Sequence, residues 1–197
     1  AKYDVTPETA FSLFLPDTYN IWWNVSLEGL FDYMKRQTDA FWTVERKAKA
    51  RKIGLTPMQV TIVASIVRSE SLHSPEYSKI AGVYLNRLRR GQRLQADPTI
   101  AFIYDYKLDR VLKKHLEVDS PYNTYRRKGL PPGPICSPTK QAIDAVLDAD
   151  TASGNIYFCA SPKLDGTHVF TRSYDQHLKN AKAFQKACAK RKSQKKR

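Results

Sequence analysis

The chain lacks the features that mark several large protein classes. Cysteine is scarce: Cys136, Cys159 and Cys188 are the only three in 197 residues, too few and too widely spaced for a disulfide framework. No CxxC pair occurs, and His73, His115, His168 and His177 are scattered, so no zinc site is expected. GxGxxG, the phosphate-binding P-loop and GxSxG are all missing. Their absence removes nucleotide binding and serine-nucleophile chemistry as leading readings, and no cofactor is expected. No apolar run approaches the roughly 18 residues that cross a bilayer. Residues 1–3 carry neither an initiator Met nor a signal-peptide pattern. The chain therefore reads as a soluble fragment or processed product of something longer. Acidic charge is short as well: 19 Asp and Glu stand against 33 Lys and Arg, a net charge of +14.

What is there is ordinary globular usage, 42% hydrophobic and 26% charged, in a length that suits one main domain. Residues 186–197 hold seven Lys and Arg and no acid. Half of the excess charge thus belongs to a terminal tail that reads as solvated and partly disordered. Such a tail can bind phosphate polymers or anionic membrane, but no nucleic-acid motif accompanies it. The charge that remains still favours an anionic partner.

Periodicity predicts a mostly helical chain. Apolar residues from Leu27 to Trp42 recur at spacings of three and four, which predicts one long helix from Ser26 toward Lys52, ended by Gly54. Thr56-Pro57-Met58-Gln59 combines a capping residue, a first-turn proline and a capping box, and opens a helix over 57–71. Ser74-Pro75-Glu76 opens the next, which Gly91 ends. Asp97-Pro98 starts a short third helix to Tyr104, and Ser137-Pro138 caps another through Val146. Residues 120–138 contain five prolines and two glycines and read as loop. Strands are predicted at 155–160 and 167–171 around the Asp165-Gly166 turn, with a last helix from Tyr174 to Ala189. The fold class is α+β, mainly helical, with a small hairpin near the C-terminus.

One residue breaks the pattern. Glu70 lies three, four and seven residues after Val67, Ile66 and Val63, which places it in the apolar stripe of its helix. A carboxyl there faces the core or a cleft, and burial raises its pKa toward the range a general acid needs. The bland reading is a frayed helix end with Glu70 in solvent or paired with Arg68 or Arg89. Ser71 is a small donor that can orient the carboxyl. Tyr122, Asn123, Thr124 and Tyr125 stand beside a stiff Pro/Gly frame; rings with amides and hydroxyls suit a sugar polymer, and equally a core plug. Asp97 is either a second active-site carboxylate or a helix cap. Gln95 points to the same side as Asp97 if that stretch is extended. Asn86, three residues after Val83, either aims inward beside Glu70 or is exposed.

The segments LFLPDTY (13–19), ASIVRSES (64–71), IAGVYLNRLRRGQRLQADPT (80–99), SPYNTYRRKGLPPGPICSP (120–138), IYFCAS (156–161) and HVFTRSYDQH (168–177) occur in this order. Together they resemble the endolytic murein transglycosylase family, also called YceG-like or MltG, over residues 12–185. The resemblance implies a lysozyme-like catalytic domain at 26–185. Residues 1–25 would lead from a mostly missing LysM-like module, and 186–197 would form a basic tail. It implies an N-terminal membrane anchor absent from this chain, and a place on the extracytoplasmic face of the bacterial cytoplasmic membrane. Glu70 matches the family's essential acid; many relatives carry an earlier Glu where this chain has Arg68. The implied substrate is peptidoglycan glycan strands, cleaved between N-acetylmuramic acid and N-acetylglucosamine with 1,6-anhydro ends, terminating nascent strands. Ser71, Asn86, Gln95, Asp97, Tyr122, Asn123, Thr124 and Tyr125 are then expected to bind glycan or orient Glu70. Cell-wall synthesis proteins are further candidate partners, and nucleic acid is not. A hydrolytic muramidase using Asp97, or a non-catalytic glycan-binding scaffold, are the alternatives.

Overall fold

Helix α3 (Pro57–Glu70) is the element around which the others are assembled. Thr56 Oγ1 accepts from the Gln59 amide at 3.2 Å while Gln59 Oε1 accepts from the Thr56 amide at 2.9 Å. This reciprocal pair satisfies two of the orphan donors at the helix start. Every residue from Val60 to Val67 is buried, so α3 has no solvent face along that stretch. Each large aliphatic side chain withdrawn there contributes about 1.5–3 kcal/mol. The structure, a computed structural model, describes residues 2–194.

A 3-10 segment, Pro7–Leu13, and helices α1 (Leu27–Phe41) and α2 (Val44–Lys52) precede α3. After it come a 3-10 turn at Ser74–Glu76, α4 (Tyr77–Arg89), α5 (Asp97–Ile103), a long loop, α6 (Lys140–Leu147), strands β1 (Tyr157–Ala160) and β2 (His168–Thr171), and α7 (Tyr174–Gln194). The strands pair antiparallel with Phe158 opposite Phe170. The fold is α+β and mainly helical. Helices α4, α5 and α6 pack on α3. Gly82 lets α4 touch the 148–151 turn: a Cβ there would stand 2.2 Å from the Asp150 carbonyl oxygen. The hairpin is tied to the start of α4 by Glu76, whose carboxylate accepts from the His168 amide at 3.0 Å and lies 2.8 Å from His168 Nδ1.

Four local expectations are corrected. The long helix from Ser26 is two helices, because Thr43 leaves the helical conformation and caps α2 through the Arg46 amide at 3.3 Å. The buried aromatics Phe41 and Trp42 turn into the core at that break. The cap of α6 is Thr139, accepting from the Ala142 amide at 3.2 Å, while Ser137 Oγ donates to the Phe11 carbonyl instead. The residue before α5 is Ala96, so Asp97 is the first helical residue and its carboxylate is free for another partner. The basic tail is helical through Gln194 rather than disordered: Lys, Arg, Ala and Gln are good helix formers, and they continue a helix already anchored on the hairpin. Residues 195–197 lie outside the described residues.

The Pro/Gly-rich segment is loop, as expected, and is firmly held. The Ile135 amide donates to Ser65 Oγ on α3 at 3.0 Å, and Tyr106 donates to the Ile135 carbonyl at 2.6 Å. Gly133 lies against the Glu8 carbonyl, where a Cβ would approach to 1.9 Å. The cysteines are unpaired. No helix among the described residues is long and apolar enough to cross a membrane.

Candidate active site

Glu70 is the last residue of α3, and Ser71 leaves the helix in an extended conformation. The helix does not fray before it. The carboxyl sits on the floor of a cavity of about 290 Å3 that is also lined by Tyr84 and Arg87 of α4, Gln95, Asp97 and Tyr125, with His177 of α7. Neither Arg68 nor Arg89 pairs with it. Instead Tyr84, 2% exposed, donates its hydroxyl hydrogen to Glu70 Oε1.

Packing around the carboxyl dominates its acidity. Glu70 is partly exposed to the cleft, but the protein crowding its oxygens disfavours the charged form and pushes its pKa from 4.5 up to about 7. The Tyr84 hydrogen bond pulls the other way. The charge of Asp97 raises the value further and that of Arg87 lowers it. Burial, and then the Glu70 charge, push the Tyr84 phenol well above its ordinary value. Tyr84 is therefore a fixed donor over the whole neutral range.

Asp97 is engaged by a second tyrosine: Tyr125 donates to Asp97 Oδ1 at 2.5 Å. Burial and this carboxylate raise the Tyr125 phenol. Arg87 is held from behind by neutral acceptors, the Ile156 carbonyl on Nε at 2.7 Å and the Leu94 carbonyl on Nη1 at 2.6 Å. Its guanidinium also lies 5.4 Å from the Tyr157 ring centre. His177 stacks on Tyr157 at 5.3 Å, its buried Nδ1 has no partner, and burial, with the Arg87 charge, lowers its pKa and so favours the neutral ring. Gln95 is not in an extended stretch: its φ is +52°, a strained value for a residue with a Cβ. The Gln95 amide on the Thr124 carbonyl at 3.1 Å and the Ala96 amide on Thr124 Oγ1 at 3.0 Å hold it there.

The residues named from sequence thus divide. Glu70, Gln95, Asp97 and Tyr125 come together. Asn123 and Thr124 do not line the cleft; at 0% and 2% exposure they hold the loop that presents Tyr125. Asn123 Nδ2 donates to the Leu116 and Val118 carbonyls at 2.9 and 2.7 Å, and its Oδ1 accepts from the Tyr125 amide at 2.9 Å. Tyr122 packs on Phe102 with ring centres 4.8 Å apart and belongs to the core. Asn86 turns away, donating to the Thr151 and Asn155 carbonyls. Ser71 accepts from the His73 amide at 3.0 Å and lines a separate cavity of about 720 Å3, of which Glu70 forms part of the wall. Glu70 therefore faces two openings. Sequence reasoning missed Tyr84, Arg87 and His177. For Tyr84 the available signal is a hydroxyl on the buried face of α4.

The arrangement gives one carboxyl poised between its charged and neutral forms, a fixed phenol donor on it, and a second carboxylate in the same cavity already hydrogen-bonded. Among the described residues, no three His, Cys, Asp or Glu side chains converge as metal ligands.

A family model described as YceG-like matches residues 2–183. The chain is 37% identical over 157 residues to a protein of Bacillus subtilis (strain 168) named endolytic murein transglycosylase, covering 79% of this chain and 42% of that one. It is 31% identical over 177 residues to a protein of the same name in Streptococcus pneumoniae (serotype 2, strain D39), covering 84% and 30%. A 2.6 Å crystal structure of a yceG-like protein from Listeria monocytogenes superposes with a TM-score of 0.74 at 31% identity, covering 85% of this chain and 54% of that one. The chain thus spans less than half the length of the Bacillus relative and about half of the Listeria chain. With the match running through α3, the 120–138 loop and the hairpin that together enclose Glu70, the chain belongs to the YceG-like family.

Proposed function

We propose that this chain carries the activity its curated relatives are named for, as a peptidoglycan lytic transglycosylase with Glu70 as its single acid and base. The observation that carries the reading is the Glu70 carboxyl at the end of a core helix, open to a cleft and crowded enough to hold its proton near neutral pH. A general acid works best with a pKa near the operating pH.

In the proposed reaction, neutral Glu70 donates its proton to the glycosidic oxygen between N-acetylmuramic acid and N-acetylglucosamine. The bond from C1 to that oxygen breaks with its electron pair leaving on N-acetylglucosamine, and positive charge develops at C1. The substrate's own N-acetyl group is placed to share that charge. The C6 hydroxyl oxygen of the same muramic ring then bonds to C1, and its proton passes to the Glu70 carboxylate. The product carries a 1,6-anhydro end, no water is consumed, and Glu70 returns to its starting state. Ordinary glycosidases need a second carboxylate to activate water or form a covalent intermediate; here the C6 hydroxyl takes that place. Tyr84 stays hydrogen-bonded to Glu70 in both states and steadies the carboxylate formed midway.

The scaffold is proposed as lysozyme-like, acting on strands outside the cytoplasm. Internal cleavage fits a Glu70 that forms part of two cavities, because a strand cut in its middle must leave the acid in both directions. A second reading has one observation in its favour: Asp97 lines the Glu70 cavity. Were its carboxylate to activate water, the enzyme would be a hydrolytic muramidase. Mass spectrometry of digested strands separates the two. Anhydro-muropeptides lighter by one water support the transglycosylase; reducing ends alone assign the chemistry to water.

A further inference from the structure

Beside the Glu70 cavity lies a larger one of about 530 Å3, and the two share Arg87 and Gln95. Its wall carries four cations, Arg87, Arg90, Arg93 and Lys128, and no acidic residue. None of the four makes an ion pair among the described residues. Like charges gathered around one concavity repel unless an anion enters it.

The fold builds this cluster from separate segments. At the end of α4 the Gln92 amide donates to the Arg87 carbonyl at 2.9 Å and the Gly91 amide to the Leu88 carbonyl at 3.0 Å, with Gly91 at φ +62°. This Schellman closure reverses the chain, so that Arg90 and Arg93 flank one opening. Lys128 arrives from the 120–138 loop. The carbonyls behind Arg87 orient its guanidinium without neutralising it, and partial burial disfavours its charge. Arg90 also suits a helix C-terminus, but Arg93 and Lys128 lie outside any helix and have no such role.

We infer that this cavity is an anion subsite for the free carboxylates of the peptide stems borne by the glycan strand. The inference rests on the proposed action on peptidoglycan. Stem carboxylates are favoured over phosphate by position. The cavity adjoins the acid, so its ligand has to be carried close to the bond being cut, and stems recur along the strand whereas a lipid diphosphate sits at one end. Two or three arginines also present the forked donors that match a carboxylate.

The test measures binding with Glu70→Gln protein, using stem-bearing strands and the same strands with their carboxyls converted to methylamides. At low salt the free-acid strands should bind tighter by a factor on the order of ten, the product of a few screened charge pairs. Adding Arg90→Ala, Arg93→Ala and Lys128→Ala should bring the ratio close to one. These three side chains are exposed and the structure gives them no side-chain hydrogen bond, so the fold should survive. If the triple variant melts early, Arg93→Ala alone should lower the ratio in proportion. A ratio near one in the parent, or one that the substitutions leave unchanged, overturns the subsite. So does competition by inorganic pyrophosphate that the substitutions weaken while amidation makes no difference. Residual cleavage by Glu70→Gln would count against the proposed mechanism alone, because the affinity ratio does not depend on it.

Discussion

At Glu70 the governing quantity is the cost of charging a carboxyl among packed side chains. Its pKa is raised from 4.5 to about 7, so between those values the folded protein holds a proton that the unfolded chain releases. The associated stability is complete below the lower value and is lost as pH rises through the upper one, by at most about 3 kcal/mol. Glu70→Gln removes that dependence. Thermal melts at pH 5 should nearly coincide for the two proteins, and at pH 8 the variant should melt higher; parallel melting at both pH values would mean the carboxyl is not desolvated. Tyr84→Phe deletes the one contact that strongly favours the carboxylate. The alkaline limb of the rate profile should move upward and the rate fall, and an unmoved limb would remove Tyr84 from the account. At this scale the sequence was informative where an offset within one helix sufficed: Val63, Ile66 and Val67 located Glu70. It named Tyr125 and Asp97 singly but was silent on the contact between them, which joins a loop to a helix start 28 positions apart.

Among the elements, α3 matters most because it carries Glu70, the proposed acid, at its end. Its start was legible in Thr56-Pro57-Met58-Gln59, since capping is local chemistry. Thr56→Ala should cost about 1 kcal/mol in urea unfolding, and no loss would mean that the packing of α3 alone sets its boundary. The apolar stripe that singled out Glu70 was only half the picture: Val60–Val67 is buried all round, which needs α4, α5 and α6 and cannot be read from one helix. The break at Trp42-Thr43 was hidden for a similar reason, because core burial of Phe41 and Trp42 outweighed a continuous helical period. Gly82 gave no signal in sequence, yet it sets the closeness of α4 to the 148–151 turn. Gly82→Ala should destabilise by about 2–3 kcal/mol through overpacking against the Asp150 backbone, again measured by urea. A neutral outcome would show that the turn can yield.

Across the whole molecule, cavities adjoin one another through shared walls: a basic one, the Glu70 cavity, and a more apolar one beyond it bordered by Leu72 and Phe184. Nothing in composition or period forecast that series, because its walls come from α3, α4, the 120–138 loop, the hairpin and α7. The excess of basic charge was legible as a total. So was the half that falls in residues 186–197, whereas the gathering of Arg87, Arg90, Arg93 and Lys128 round one cavity was not. On the proposed function, a strand threaded through such a series would be cut internally. Long glycan strands should therefore give mid-length products in the first turnovers by size-exclusion chromatography, and disaccharides alone from the outset would indicate a site closed at one end. The most direct measurement of the central claim is digestion of purified glycan strands by the wild-type protein and by Glu70→Gln, with binding followed in parallel. The account predicts that the variant still binds strands and releases no soluble fragments; cleavage by the variant at the wild-type rate would contradict it.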